Sequence, residues 1–159
     1  MDYNVGLSVK IWDKEVKLGR VVHLESAGKQ RNLLSKSVLA AIRLLMQQQE
    51  VNEQTRDLAA YIALALQEIS NTIDPTVSAW EKRGYWLKAD RYRMEWSWAE
   101  TLGGKMEQAL HQEDWESVAQ IAAEVANRLA NAAKLKRAGT QAPWEGAWKR
   151  LMSKSPDSQ

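Results

Sequence analysis

Glu107 and His111 stand four residues apart, the spacing that brings two side chains onto one face of a helix, with Glu113 and Asp114 close behind. A carboxylate beside an imidazole is raw material for proton transfer or metal binding. The set is too thin for either. The sequence holds two histidines, His23 and His111, and no cysteine. Helical metal bundles use repeated Glu-x-x-His pairs, which are absent. Thiolate nucleophiles, Cys-based zinc sites and disulfides are excluded within this sequence. The Glu107–His111 pair therefore reads as a surface ion pair. Gly28-Lys29 lacks the glycine-rich loop and the Ser/Thr of a phosphate-binding loop, and Ser26 beside it reads as a helix cap. No Ser-His-Asp or Cys-His arrangement and no glycosidase-like carboxylate pair stands out. No catalytic residue, metal site or cofactor is expected, and a helical enzyme or cofactor-binding bundle is the third reading.

Binding chemistry is better represented. Between Trp80 and Trp98 lie four of the eight tryptophans, together with Tyr85 and Tyr92, among Lys82, Arg83, Lys88, Arg91 and Arg93. Indole and phenol rings present an apolar body with a polar handle, so they serve cores and binding faces alike. Sorting the segment at 3.6 residues per turn separates the two uses. Trp80, Gly84, Leu87, Met94, Trp98 and Leu102 share one arc, expected to be the core seam. Arg91 falls in that seam and requires a partner, for which Asp57 and Glu68 are the candidates, because an unpaired buried charge costs several kcal/mol. Holding an anionic ligand is the other role open to Arg91. Tyr85, Tyr92 and Trp96 form a second stripe. Trp86 stands apart with Lys82, Arg83, Asp90 and Arg93, and Trp and Arg dominate binding hot spots. The partner-binding residues expected are Lys82, Arg83, Tyr85, Trp86, Tyr92 and Arg93.

These faces presuppose one unbroken helix over residues 76–102, in a mainly α protein. The elements around it follow from periodicity. Val5, Leu7, Val9 and Ile11 alternate with polar or small residues, and Val16, Leu18, Val22 and Leu24 resume the pattern, predicting an N-terminal β-hairpin over 5–24. From Ser26 the period becomes helical. Ala27, Leu34, Val38, Ala41, Ile42 and Leu45 make one face, while Leu33, Ala40 and Leu44 make another. Two apolar faces predict that this helix is the central one. Asn52 or Thr55 caps the next helix, with Leu58, Ile62, Ala65, Leu66, Ile69 and Ile73 inward. Asp74-Pro75 reads as the start of the aromatic helix. Gly103-Gly104 is expected to break it before a short helix over 105–111. Asp114 caps a further helix, with Val118, Ile121, Ala122, Val125 and Leu129 inward. Trp144 and Trp148 lie on a short helix over 143–152.

The whole predicts one domain over 1–152: the hairpin, a bundle of about four long helices over 26–137, the terminal helix, and a disordered tail over 153–159. At 159 residues the chain fits one domain of about 150 residues. Its net charge of +2 is too small to argue for nucleic acid by itself. Charge is segregated, however. Residues 50–74 carry five acids against one base, 107–124 five acids and no Lys or Arg, and 82–93 five bases against one acid. Neighbouring helices pairing acidic with basic flanks is the simplest account. No apolar run approaches the roughly 20 residues needed to span a bilayer. The first ten residues lack the cationic start and apolar block of a secretory leader, so a cytoplasmic location is expected.

Together these features predict a small non-catalytic interaction module that binds a protein partner or itself through the aromatic and basic helix face. No membrane and no small-molecule ligand is expected. The alternative is a nucleic-acid-associated helical protein, in which Tyr85, Trp86 and Tyr92 stack bases while Lys82, Arg83, Lys88 and Arg93 meet phosphates.

Overall fold

The fold is that of a computed structural model, which describes residues 24–130 and 142–154. The described part is mainly helical and contains no strand. The hairpin expected over 5–24 lies outside the described residues except for Leu24, which opens a helix. Helix α1 spans Leu24–Met46, α2 Glu53–Asn71, α3 Ile73–Lys82, α4 Trp86–His111, α5 Trp115–Arg128 and α6 Ala147–Met152.

The centre of the bundle is α2, not α1. Along α2 Leu58, Ala59, Ala60, Ile62, Ala63, Leu66 and Ile69 are all buried, which covers nearly its whole circumference. It packs against α1, α4 and α6. The reason is its run of alanines, whose small side chains let neighbours approach on sides where a large residue would hold them off. α1 buries Ala27, Val38, Leu39, Ala41 and Ile42, while Leu33 on its second apolar line is exposed.

Asn52 and Thr55 both act at the start of α2. The Asn52 side chain accepts from the Thr55 N–H at 2.9 Å, and the Asn52 N–H donates back to Thr55 Oγ1 at 3.3 Å. This reciprocal box satisfies two otherwise orphaned donors. At the other end Thr72 closes α2 and opens α3, so α3 begins one residue ahead of Asp74-Pro75.

Two corrections concern the aromatic helix. It does not run unbroken over 76–102; it is cut at Gly84, which takes φ +83°. The Gly84 N–H donates to the Glu81 carbonyl at 3.0 Å and the Tyr85 N–H to the Trp80 carbonyl at 2.9 Å. That pair of bonds closes α3 in the manner typical of a helix ending in a left-handed residue. Gly103-Gly104, in contrast, does not break α4, which continues to His111 and absorbs the short helix expected over 105–111. Glycine suits position 103 because α2 lies close: a Cβ there would sit 3.1 Å from Leu66 Cβ. Asp114 caps α5 as expected, its carboxylate accepting from the Ser117 N–H at 3.2 Å and from Ser117 Oγ at 2.6 Å, which holds it below the usual carboxylate range.

The C-terminal helix α6 begins at Ala147 and not at residue 143, because Gly146 takes φ +75° and leaves Trp144 in the turn ahead of it. The tail expected over 153–159 lies outside the described residues beyond 154. α6 is pinned to α2. Asp57 accepts from the Gly146 N–H and the Trp148 N–H, each at 3.0 Å. Trp148 stacks on Trp115 with ring centroids 6.5 Å apart, and Trp144 meets Tyr61 edge to face at 6.4 Å. Burial raises the Tyr61 phenol above its ordinary pKa, against a side-chain hydrogen bond with Ser37.

Candidate functional site

The break at Gly84 makes an elbow, and the elbow carries the candidate site. Trp80 on α3 and Tyr92 on α4 lean together across it, edge to face, with centroids 5.0 Å apart. Lys88 lies over the Trp80 ring, its Nζ 4.4 Å from the centroid. On the far side of α4, Arg93 grips Glu81 with a two-pronged contact of 2.7 and 3.1 Å, tying the helices a second time. That contact raises the Arg93 pKa and lowers that of Glu81.

The inner wall is built by a residue that periodicity passed over. Arg31 of α1 is only 8% exposed. Its Nη1 donates to Thr72 Oγ1 at 2.9 Å and to the Thr72 carbonyl at 3.4 Å, bracketing the bend between α2 and α3. Its guanidinium lies over the Tyr92 ring at 5.2 Å and the Trp96 ring at 5.5 Å. Cations stack favourably on aromatic faces in this range. The signal was present in the sequence, since Arg31 continues the buried line Ala27, Arg31, Leu34, Val38 at helical spacing. Burial raises the Tyr92 phenol above its ordinary value, with the Arg31 charge opposing.

The seam expected to run from Trp80 to Leu102 is buried only in its second half. Trp98, Leu102, Met106 and Ala109 face the core, whereas Leu87 and Met94 are 64% and 76% exposed and Arg91 is exposed beside them. Arg91 is therefore not a core cation: Asp57 serves α6, and Glu68 is exposed. With the rod cut at Gly84, the first turns of α4 stand beside α3 and are not covered by α2. Trp96 and Trp98, two residues apart and on different stripes, still bring their rings to 5.9 Å, because an indole is long enough to reach around the helix.

Of the six expected partner-binding residues, Lys82, Arg83, Tyr85 and Trp86 are exposed at the elbow. Tyr92 is half-buried and forms its floor, and Arg93 faces away, held by Glu81. Trp86 is 61% exposed, and it alone among the described tryptophans is exposed. An open concavity of about 810 Å³ lies here, lined by Trp80, Tyr85, Trp86, Leu87, Lys88, Arg91, Tyr92 and Glu95. Gly84 was placed in the seam by periodicity, yet Lys82-Arg83-Gly84 is a helix-stop signature, basic residues followed by glycine.

Elsewhere the charges pair sparsely. Glu107 meets His111 at 3.8 Å and Lys154 at 3.7 Å, and Arg56 meets Glu113 at 3.4 Å. The basic elbow and the acidic stretch of 107–124 are not paired with each other among the described residues. No group of three or more His, Cys, Asp or Glu able to hold a metal occurs among the described residues, and no described helix is long and apolar enough to cross a membrane. No known protein family, curated protein or solved structure matches the chain.

Proposed function

We propose that the chain is a non-catalytic interaction module that docks a protein partner at the Gly84 elbow. The observation that carries this reading is the exposure of Trp86 at 61%, beside exposed Tyr85, Leu87 and Met94, while every other described tryptophan is at least half-buried. Water-exposed apolar surface of this density on one helix end marks an interaction site more often than an ordinary surface. Lys82, Arg83, Lys88 and Arg91 surround it with positive charge, which steers an acidic partner and fixes its orientation.

The test compares Trp86→Ala with Trp98→Ala. Truncating buried Trp98 should lose about 3–5 kcal/mol of stability in urea titrations. Trp86→Ala should change stability by less than about 0.5 kcal/mol and abolish retention of the protein partner that the wild-type chain captures. Identical captured sets for wild type and Trp86→Ala would end the proposal.

The basic rim also favours a second reading, association with nucleic acid. A salt titration separates the two, since phosphate contacts weaken steeply as salt rises and apolar docking does not.

A further inference from the structure

We infer that the occupant of the elbow is an acidic amphipathic helix of a partner protein, laid along the first turns of α4 where a further bundle helix would run. This rests on the reading of the elbow as a protein-docking face. From Trp98 through Leu102 and Met106 to Ala109, one arc of α4 is buried in the bundle core. At 3.6 residues per turn that arc extends backward through Glu95, Met94, Arg91 and Leu87. Those residues are exposed, so the core-facing stripe of α4 runs out of the bundle and continues uncovered.

Leu87 and Met94 are seven residues apart, about 10 Å along the axis, which matches two turns of a packed helix. The concavity of about 810 Å³ is lined by Leu87, Arg91 and Glu95 of this stripe and is wide enough for several side chains. Helices pack at roughly 8–10 Å between axes by setting such side chains into such grooves, and recognition of an amphipathic helix in a groove uses the same geometry.

Charge selects the flanks. Lys88 and Arg91 line the groove and exposed Lys82 and Arg83 precede the Gly84 turn that closes it, while Glu81 is held by Arg93. Asp90 and Glu95 are the remaining acids on this stretch, so the rim is net positive and complements carboxylates.

The same features disfavour a single-stranded nucleic acid. The Trp80 face is covered by Lys88 and the Tyr92 face by Arg31, which leaves only the Tyr85 and Trp86 rings open for bases. Leu87 and Met94 are aliphatic surfaces that suit side chains better than bases.

The test uses the full chain and the anisotropy of labelled probes. They are an 18-residue peptide with Leu at helical spacing and Glu on its flanks, a scrambled peptide of equal composition, the same peptide with Lys for Glu, and an oligo-dT 20-mer. The acidic amphipathic peptide should bind, and Met94→Glu and Arg91→Glu should each weaken it about tenfold. Arg91→Glu should at the same time improve binding of the Lys peptide. Gly104→Ala, on an exposed turn of α4 away from the elbow, should leave the binding of every probe unchanged. Binding of the scrambled or Lys peptide as tight as that of the acidic one would overturn the helix assignment and leave the docking face standing. So would self-association of the chain, seen by sedimentation and abolished by Met94→Glu. Trp86-dependent binding of oligo-dT alone would overturn both this inference and the docking reading. Binding of no probe would overturn the inference, with the docking face then decided by its own Trp86 comparison.

Discussion

The Trp80 ring meets the Tyr92 ring edge to face at 5.0 Å across the Gly84 turn. Two residues that a continuous helix would place three turns apart on one rod are instead brought together by folding that rod in two. The contact holds the folded rod as a corner, and the corner exposes Trp86 while enclosing Tyr92. Arg31, reaching from α1, fixes the same corner from behind.

Gly84→Ala tests the elbow by its sign. Alanine in a left-handed conformation is disfavoured by about 1–2 kcal/mol, so the variant should be destabilised in urea titrations. Inside a continuous helix the same change would stabilise by about 1 kcal/mol. A gain in stability would mean that the turn is not there.

Gly103→Ala and Gly104→Ala should have opposite effects although the residues are neighbours. Both gain about 1 kcal/mol of helix propensity. At Gly104 a Cβ meets nothing within 4 Å, so the gain is kept. At Gly103 the Cβ meets Leu66 Cβ at 3.1 Å with the Ala63 carbonyl at 3.7 Å behind it. Overpacking of this kind costs about 1–3 kcal/mol and outweighs the gain. Thermal unfolding of the two variants side by side is the measurement.

Asp57→Ala should release α6. The carboxylate receives two backbone N–H groups, and its loss costs about 1–3 kcal/mol. Hydrogen exchange at residues 146–152 should quicken while the amides of α2 and α4 keep their protection. Asp57→Asn, which retains one acceptor, should fall between. Uniform acceleration across the chain would show that Asp57 supports the whole bundle and not α6 alone.

Alkaline stability should fall, and Tyr61 should contribute. Burial raises the Tyr61 and Tyr92 phenols, so the folded protein keeps protons that the unfolded chain releases from about pH 10 upward. Their contribution is intact below about pH 10 and is lost as pH climbs through the raised folded values. Urea midpoints between about pH 8 and about pH 11 should drop less steeply for Tyr61→Phe than for wild type. Parallel curves would remove Tyr61 from the account.

Legible from the residues alone were the helical character of the described part, the starts of helices at Asn52-Thr55 and Asp114, and which aromatic and basic residues cluster. Those are properties of near neighbours: caps, periodic apolar positions and composition are decided within a few residues. It took the packing of the helices to leave Leu87 and Met94 in the open while Trp98, on the same arc, is buried. Periodicity assigns a residue to a face but cannot tell how far along the helix its neighbour extends. It also placed Gly84 in a seam and Gly103-Gly104 at a break, when the reverse holds. Both sites carry the same residue type, and the local stop signal of Lys82-Arg83-Gly84 was outweighed by the period; what separates the sites in space is that α2 presses against Gly103, whereas the turn at Gly84 is held by Trp80 on Tyr92 and by Arg93 on Glu81.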